Sequence, residues 1–112
     1  MEPVLERLPT GGRVAVVRLR SLGDCVLTTP ALRILKQHRP DLRVAVVVEP
    51  RFAAIFEGNP DVDRILPPTV SAVGAWSPDL TINFHGGTRS VVLTLASRAR
   101  IRAGFGHYRA RW

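Results

Sequence analysis

The segment Arg18-Leu19-Arg20-Ser21-Leu22-Gly23-Asp24 gathers basic, hydroxyl, glycine and carboxylate residues where a buried strand gives way to a helix. Asp24 could be a carboxylate at the mouth of a cleft, placed to accept a proton from a hydroxyl. Gly23 lets the backbone turn sharply and come close to a ligand. Arg18 and Arg20 can grip phosphate or carboxylate oxygens with two parallel N–H bonds. Ser21 adds a neutral hydroxyl beside them. A helix starting here would offer unpaired N–H groups to the same anion. A plainer role for Asp24, as the N-cap of that helix, stands beside this one. Position 27 is Leu, so no capping box supports the cap.

Two further glycine-rich turns carry candidates. In His85-Gly86-Gly87-Thr88-Arg89, the amides of Gly86 and Gly87 can hold an oxyanion. His85 can hydrogen-bond a sugar or phosphate, and Arg89 can meet an acid. A flexible turn with an incidental histidine explains the same residues. Gly104-Phe105-Gly106-His107-Tyr108 offers His107 beside an aromatic wall suited to a sugar ring, while ordinary loop packing is the simpler account of the segment taken alone. Cys25 follows Asp24 where a helix N-terminus would lower a thiol's pKa. It has no identifiable partner and reads as a half-buried packing residue. Glu49 occupies the place of a ribose-binding acid, but Gly23 stands without the two further glycines of a dinucleotide fingerprint. Glu49 is therefore read as a surface or loop residue, and nicotinamide binding is not expected. A single cysteine excludes an internal disulfide framework and a multi-cysteine zinc site. No metal and no cofactor are expected.

These residues must be positioned by a strand–helix alternation. Arg13–Leu19 and Leu42–Val48 are β-branched, nearly continuous apolar runs, which predicts parallel strands buried on both faces. Asp63–Leu66, Asp79–Phe84 and Ile101–Phe105 read as three more strands. A helix is expected over 24–38, with Leu27, Ala31, Ile34, Leu35 and His38 facing the core and Arg33, Lys36 and Gln37 facing away. Pro30 either kinks it or starts its main part with Thr29 as cap. Arg51–Glu57 reads as a short helix, Thr69–Pro78 as a frayed helix or a loop, and Thr88–Arg98 as a helix with Val91, Val92 and Leu95 inward. The alternation predicts an α/β fold with a doubly wound parallel sheet flanked by helices. Ligands in such folds bind at the carboxyl ends of the strands, where all three candidate turns fall.

Composition limits the partners. The chain has 112 residues, enough for one domain, and 46% of them are hydrophobic, enough for a core. Its apolar runs are too short to span a membrane, and its acidic start is unlike a signal peptide, so the cytoplasm is the expected compartment. Sixteen basic residues against nine acidic ones give a net charge of +7, which favours an anionic partner. Arg98, Arg100, Arg102, Arg109 and Arg111 concentrate that charge near the end of the chain. Nucleic acid is the weaker fit, because no stacking aromatics are interleaved on the strands.

The ordered set of segments resembles a known family. Val14–Asp24, Val26–Leu32, Arg39-Pro40-Asp41-Leu42, Val48-Glu49-Pro50-Arg51-Phe52, Gly58–Asp63, Asp79–Gly87 and Gly104–Tyr108 are similar, in order, to the opening of glycosyltransferase family 9, the ADP-heptose–lipopolysaccharide heptosyltransferases. The resemblance implies a two-domain GT-B enzyme with facing Rossmann-like domains. Residues 1–12 would be an N-terminal extension and 13–112 a truncated acceptor-side domain, with the nucleotide-sugar domain absent. It implies inverting transfer of heptose from ADP-heptose to a lipid-linked, phosphorylated core acceptor, with Asp24 as base. Arg18, Arg20 and Arg89 would then meet acceptor phosphates or carboxylates. The isolated chain is expected to be inactive, to self-associate through an exposed apolar face, and to contact the inner face of the cytoplasmic membrane peripherally. The alternative is a basic module without catalysis that binds RNA or an anionic membrane surface.

Overall fold

The computed structural model describes residues 5–18 and 22–83, with the backbone of 101–104. Strand β1 (Arg13–Val17) leads into helix α1 (Leu22–His38), followed by β2 (Arg43–Val47) and a 3-10 helix (Pro50–Ile55). Then come β3 (Arg64–Leu66), helix α2 (Val70–Trp76), β4 (Leu80–Asn83) and β5 (Ile101–Gly104). The strands form a five-stranded sheet in the order β3-β2-β1-β4-β5. Every neighbouring pair is parallel, as the strand–helix alternation predicts.

The sheet is centred on a repeated sequence. Arg-Val-Ala-Val-Val occurs in both β1 and β2, and the two copies pair in register from Arg13 opposite Arg43 to Val17 opposite Val47. Each alanine and valine of the two strands is fully buried, because both faces of the sheet are covered. On one face, Val14, Val16, Val44 and Val46 pack with Cys25, Leu32, Leu35 and Phe56. On the other, Ala15, Val17 and Val47 pack with Val73 of α2, against Leu66 and Trp76. Leu5 and Leu8, upstream of β1, are buried in the first of these clusters.

Helix α1 corrects the expected inward face except at Leu35, which is buried as expected. The buried side chains are Cys25, Thr28, Leu32 and Leu35. Leu27 is 71% exposed and Ile34 60%. His38 is exposed as well, and Lys36 turns in to donate from Nζ to the Leu42 carbonyl and to Asp63. Two apolar stripes compete on this helix. The one with the small residues Cys25 and Thr28 near its start wins the place against the sheet.

The helix also begins earlier than expected and includes Pro30. Proline removes the N–H that would bond the Val26 carbonyl. The Thr29 hydroxyl donates to that carbonyl instead, at 2.8 Å, so Thr29 repairs the helix rather than capping it. The open choice over 69–78 resolves as a short helix. The Thr69 side chain caps it by accepting from the Ala72 N–H at 3.2 Å, and Ser77 ends it in the left-handed region at φ 53°.

Candidate functional site at the carboxyl ends of β1 and β4

The strand order reverses between β1 and β4, and their carboxyl ends lie side by side, with Val17 opposite Asn83. An open parallel sheet leaves a crevice at such a point. Arg18 follows β1 directly, and its N–H donates to the Val47 carbonyl at 3.0 Å, anchoring it to the end of β2. Its Nε donates to Thr28 Oγ1 at 3.4 Å, and Thr28 Oγ1 in turn donates to the Asp24 carbonyl at 2.8 Å. Asn83 is buried at the end of β4.

Asp24 lies in the first turn of α1, and its side chain is exposed. Because the helix starts at Leu22, Asp24 is inside it and is not the N-cap. A carboxylate in the first turn is stabilised by the helix dipole, and its exposure leaves it open to an incoming hydroxyl. Gly23 does not serve as a sharp turn. It is helical, it is absent from the glycines with positive φ, and a Cβ placed on it would meet nothing within 4 Å.

Of the candidates read from the sequence, the structure describes Arg18, Gly23 and Asp24, and joins Arg18 to the Asp24 carbonyl through Thr28. Arg20, Ser21, His85, Gly86, Gly87, Arg89 and His107 lie outside the described residues, as do the helix expected over 88–98 and the basic residues 109 and 111. Cys25 is fully buried rather than half-buried. Burial pushes its thiol pKa up, the Arg18 charge opposes that, and the Asp24 charge adds to it, so the thiol is a packing group and not a nucleophile. Glu49 sits at the N-cap of the 3-10 helix, with Arg51 Nε 3.5 Å from its Oε1. Among the described residues, no group of three or more histidine, cysteine and acidic side chains could hold a metal ion. Thr28 and Asn83 escaped the sequence reading. The signal for Thr28 was its place one helical turn after Asp24, and for Asn83 a polar residue ending an otherwise apolar strand.

The sheet matches Escherichia coli heptosyltransferase WaaC with ADP at a TM-score of 0.73 and 28% identity, over 88% of this chain and 36% of that one. The chain is similar to the glycosyltransferase family 9 heptosyltransferases. A family 9 glycosyl transferase from Veillonella parvula shares the fold at a TM-score of 0.75, with 24% identity over 90% of this chain and 34% of that one. E. coli ADP-heptose lps heptosyltransferase II shares it at 0.70 and 15% identity, over 82% of this chain and 30% of that one. In sequence, Campylobacter coli lipopolysaccharide heptosyltransferase 1 is 26% identical over 53 residues, 47% of this chain and 16% of that protein. No protein-family profile matches the chain. The parallel sheet and its helices are thus of the GT-B glycosyltransferase kind, and the chain spans about a third of the length of its family 9 structural relatives. No helix among the described residues is long and apolar enough to cross a membrane.

Proposed function

We propose that residues 13–112 form the acceptor-side Rossmann-like domain of an inverting heptosyltransferase that moves heptose from ADP-heptose to a lipopolysaccharide core acceptor. The observation that carries this is the exposed carboxylate of Asp24 in the first turn of α1, at the carboxyl end of β1. The acceptor hydroxyl attacks the anomeric carbon of the heptose. The bond from that carbon to the ADP oxygen breaks, and its electron pair leaves with ADP. The proton of the attacking hydroxyl passes to Asp24 as the new C–O bond forms. A carboxylate is a weak base for a resting hydroxyl and is adequate for one losing its proton in the transition state.

Arg18 supplies a guanidinium to an acceptor phosphate or carboxylate at the same rim, and Arg20, Ser21, Gly23, His85, Gly86, Gly87, Arg89 and His107 complete the proposed acceptor surface. The donor is held by a second, nucleotide-binding domain, without which the chain does not turn over. The enzyme works in the cytoplasm, at the inner face of the membrane that carries its lipid-linked acceptor.

The test is transfer of labelled heptose from ADP-heptose to a phosphorylated core acceptor. The chain is assayed alone and joined to the donor-binding part of the E. coli relative. Product from the joined protein and none from the chain alone supports the reading. Product from neither, together with RNA binding that falls log-linearly with salt, supports a basic binding module instead.

A further inference from the structure

Thr28 is a polar residue on the buried side of α1, only 4% exposed. Its hydroxyl joins two segments of the rim. It donates to the carbonyl of Asp24, one helical turn earlier, at 2.8 Å, and accepts from the Nε of Arg18 at 3.4 Å. A hydroxyl has one proton to give. With that proton on the Asp24 carbonyl, its lone pairs are what Arg18 meets, so the direction of the bridge is fixed. Arg18 is held from the other side as well, through its N–H on the Val47 carbonyl at 3.0 Å. Val47, Arg18, Thr28 and Asp24 therefore form a connected path from β2, through the residue after β1, into the first turn of α1.

We infer that Thr28 is a positioning residue for anion recognition at this rim. By engaging Nε, it restricts the orientation of the Arg18 guanidinium that would meet a phosphate and ties it to the helix turn that carries Asp24. The inference rests on the reading of the rim given under Proposed function and extends it to a residue that touches neither substrate. A hydroxyl that only satisfies itself on the preceding turn of its own helix would be structurally useful but indifferent to Arg18. The two roles separate experimentally.

The experiment uses the 15N-labelled chain and inorganic phosphate as the probe, with Thr28→Val, Thr28→Ser, Arg18→Ala and the Thr28→Val/Arg18→Ala double variant. Without phosphate, Thr28→Val raises the mobility of the Arg18 Nε–H and its exchange with water, and Thr28→Ser leaves both near wild type. With phosphate, Thr28→Val raises the dissociation constant roughly three- to tenfold, the size of one lost hydrogen bond. Thr28→Ser stays within about twofold, on the same reasoning that the bond is kept. In the Arg18→Ala background, Thr28→Val has no further effect. Should Thr28→Val destabilise the fold, Thr28→Ala, which also removes the hydroxyl, takes its place in the same comparisons with Thr28→Ser and in the Arg18→Ala background.

An Arg18 Nε–H signal indifferent to Thr28→Val overturns the inference. So does a phosphate affinity indifferent to Thr28→Val, an equal loss in the Arg18→Ala background, or a wild-type chain whose Arg18 does not respond to phosphate. Transfer activity enters none of these measurements, so a failure here and a failure of the Asp24 chemistry are told apart.

Discussion

Arg39 and Asp41 grip each other twice, Nε to Oδ1 at 2.9 Å and Nη2 to Oδ2 at 2.8 Å. The pair is a latch for the chain that precedes β1. Asp41 Oδ2 also accepts the Gly11 N–H at 2.9 Å. Arg39 also donates to the carbonyls of Leu5, Leu8 and Pro9. The bidentate geometry fixes the guanidinium plane, and that plane fixes the segment whose Leu5 and Leu8 enter the core.

This latch makes the fold sensitive to acid. Its hydrogen bonds to Arg39, then the one from the Gly11 N–H, hold the Asp41 carboxyl well below the usual carboxylate range. Asp63 is also lowered. Burial opposes the shift there, but the Val44 N–H and Lys36 outweigh it. A depressed folded-state pKa contributes stability that is present above the unfolded value, about 4, and is lost as pH falls through the folded one. Thermal melts between pH 7 and 2 should therefore show a midpoint that drops below about pH 4. Asp41→Asn should melt lower at pH 7 and show a shallower drop, with faster amide exchange in residues 5–12. An Asp41→Asn profile parallel to wild type would contradict the latch.

The choice of buried stripe on α1 predicts unequal costs for similar truncations. Leu32→Ala empties a fully buried site and should cost about 2–5 kcal/mol in urea unfolding. Leu27→Ala and Ile34→Ala remove exposed side chains and should each stay within about 0.5 kcal/mol. The reverse order would place the other stripe against the sheet.

The exposed stripe should also mediate association. Val26, Leu27 and Ile34 form apolar surface on α1 that the described residues do not cover, and such surface favours self-contact. Sedimentation or size exclusion over a range of concentrations should show reversible growth in size. Leu27→Glu with Ile34→Glu should suppress it. A wild-type monomer at every concentration would count against this.

The sequence revealed the sheet more fully than the helix faces, for a physical reason. Arg13–Val17 and Arg43–Val47 are apolar at every inward and outward position after the leading arginine, so a strand buried on both sides is the only arrangement that hides them. Helix α1 offers Leu27 and Ile34 on one stripe and Cys25, Leu32 and Leu35 on another. Periodicity alone cannot say which meets the sheet, because close approach depends on the small side chains near the helix start. Type and spacing singled out Arg18 and Asp24, which the structure places just after β1 and in the first turn of α1. They missed Thr28, whose importance lies in a contact across from β1 to α1 that only the packed fold creates. Gly23 misled in the opposite direction, since a lone glycine suggests a turn and here it sits inside a helix.

Asp24 is proposed to take the acceptor's proton. The measurement is heptose transfer by the chain joined to a family 9 donor-binding domain, with Asp24→Asn compared against wild type, and with acceptor affinity measured separately. Turnover should fall by about a hundredfold or more while acceptor affinity stays within about twofold, because an exposed carboxamide keeps the shape and loses only the basicity. An Asp24→Asn enzyme that turns over at the wild-type rate, or that fails only because it no longer binds acceptor, contradicts the account.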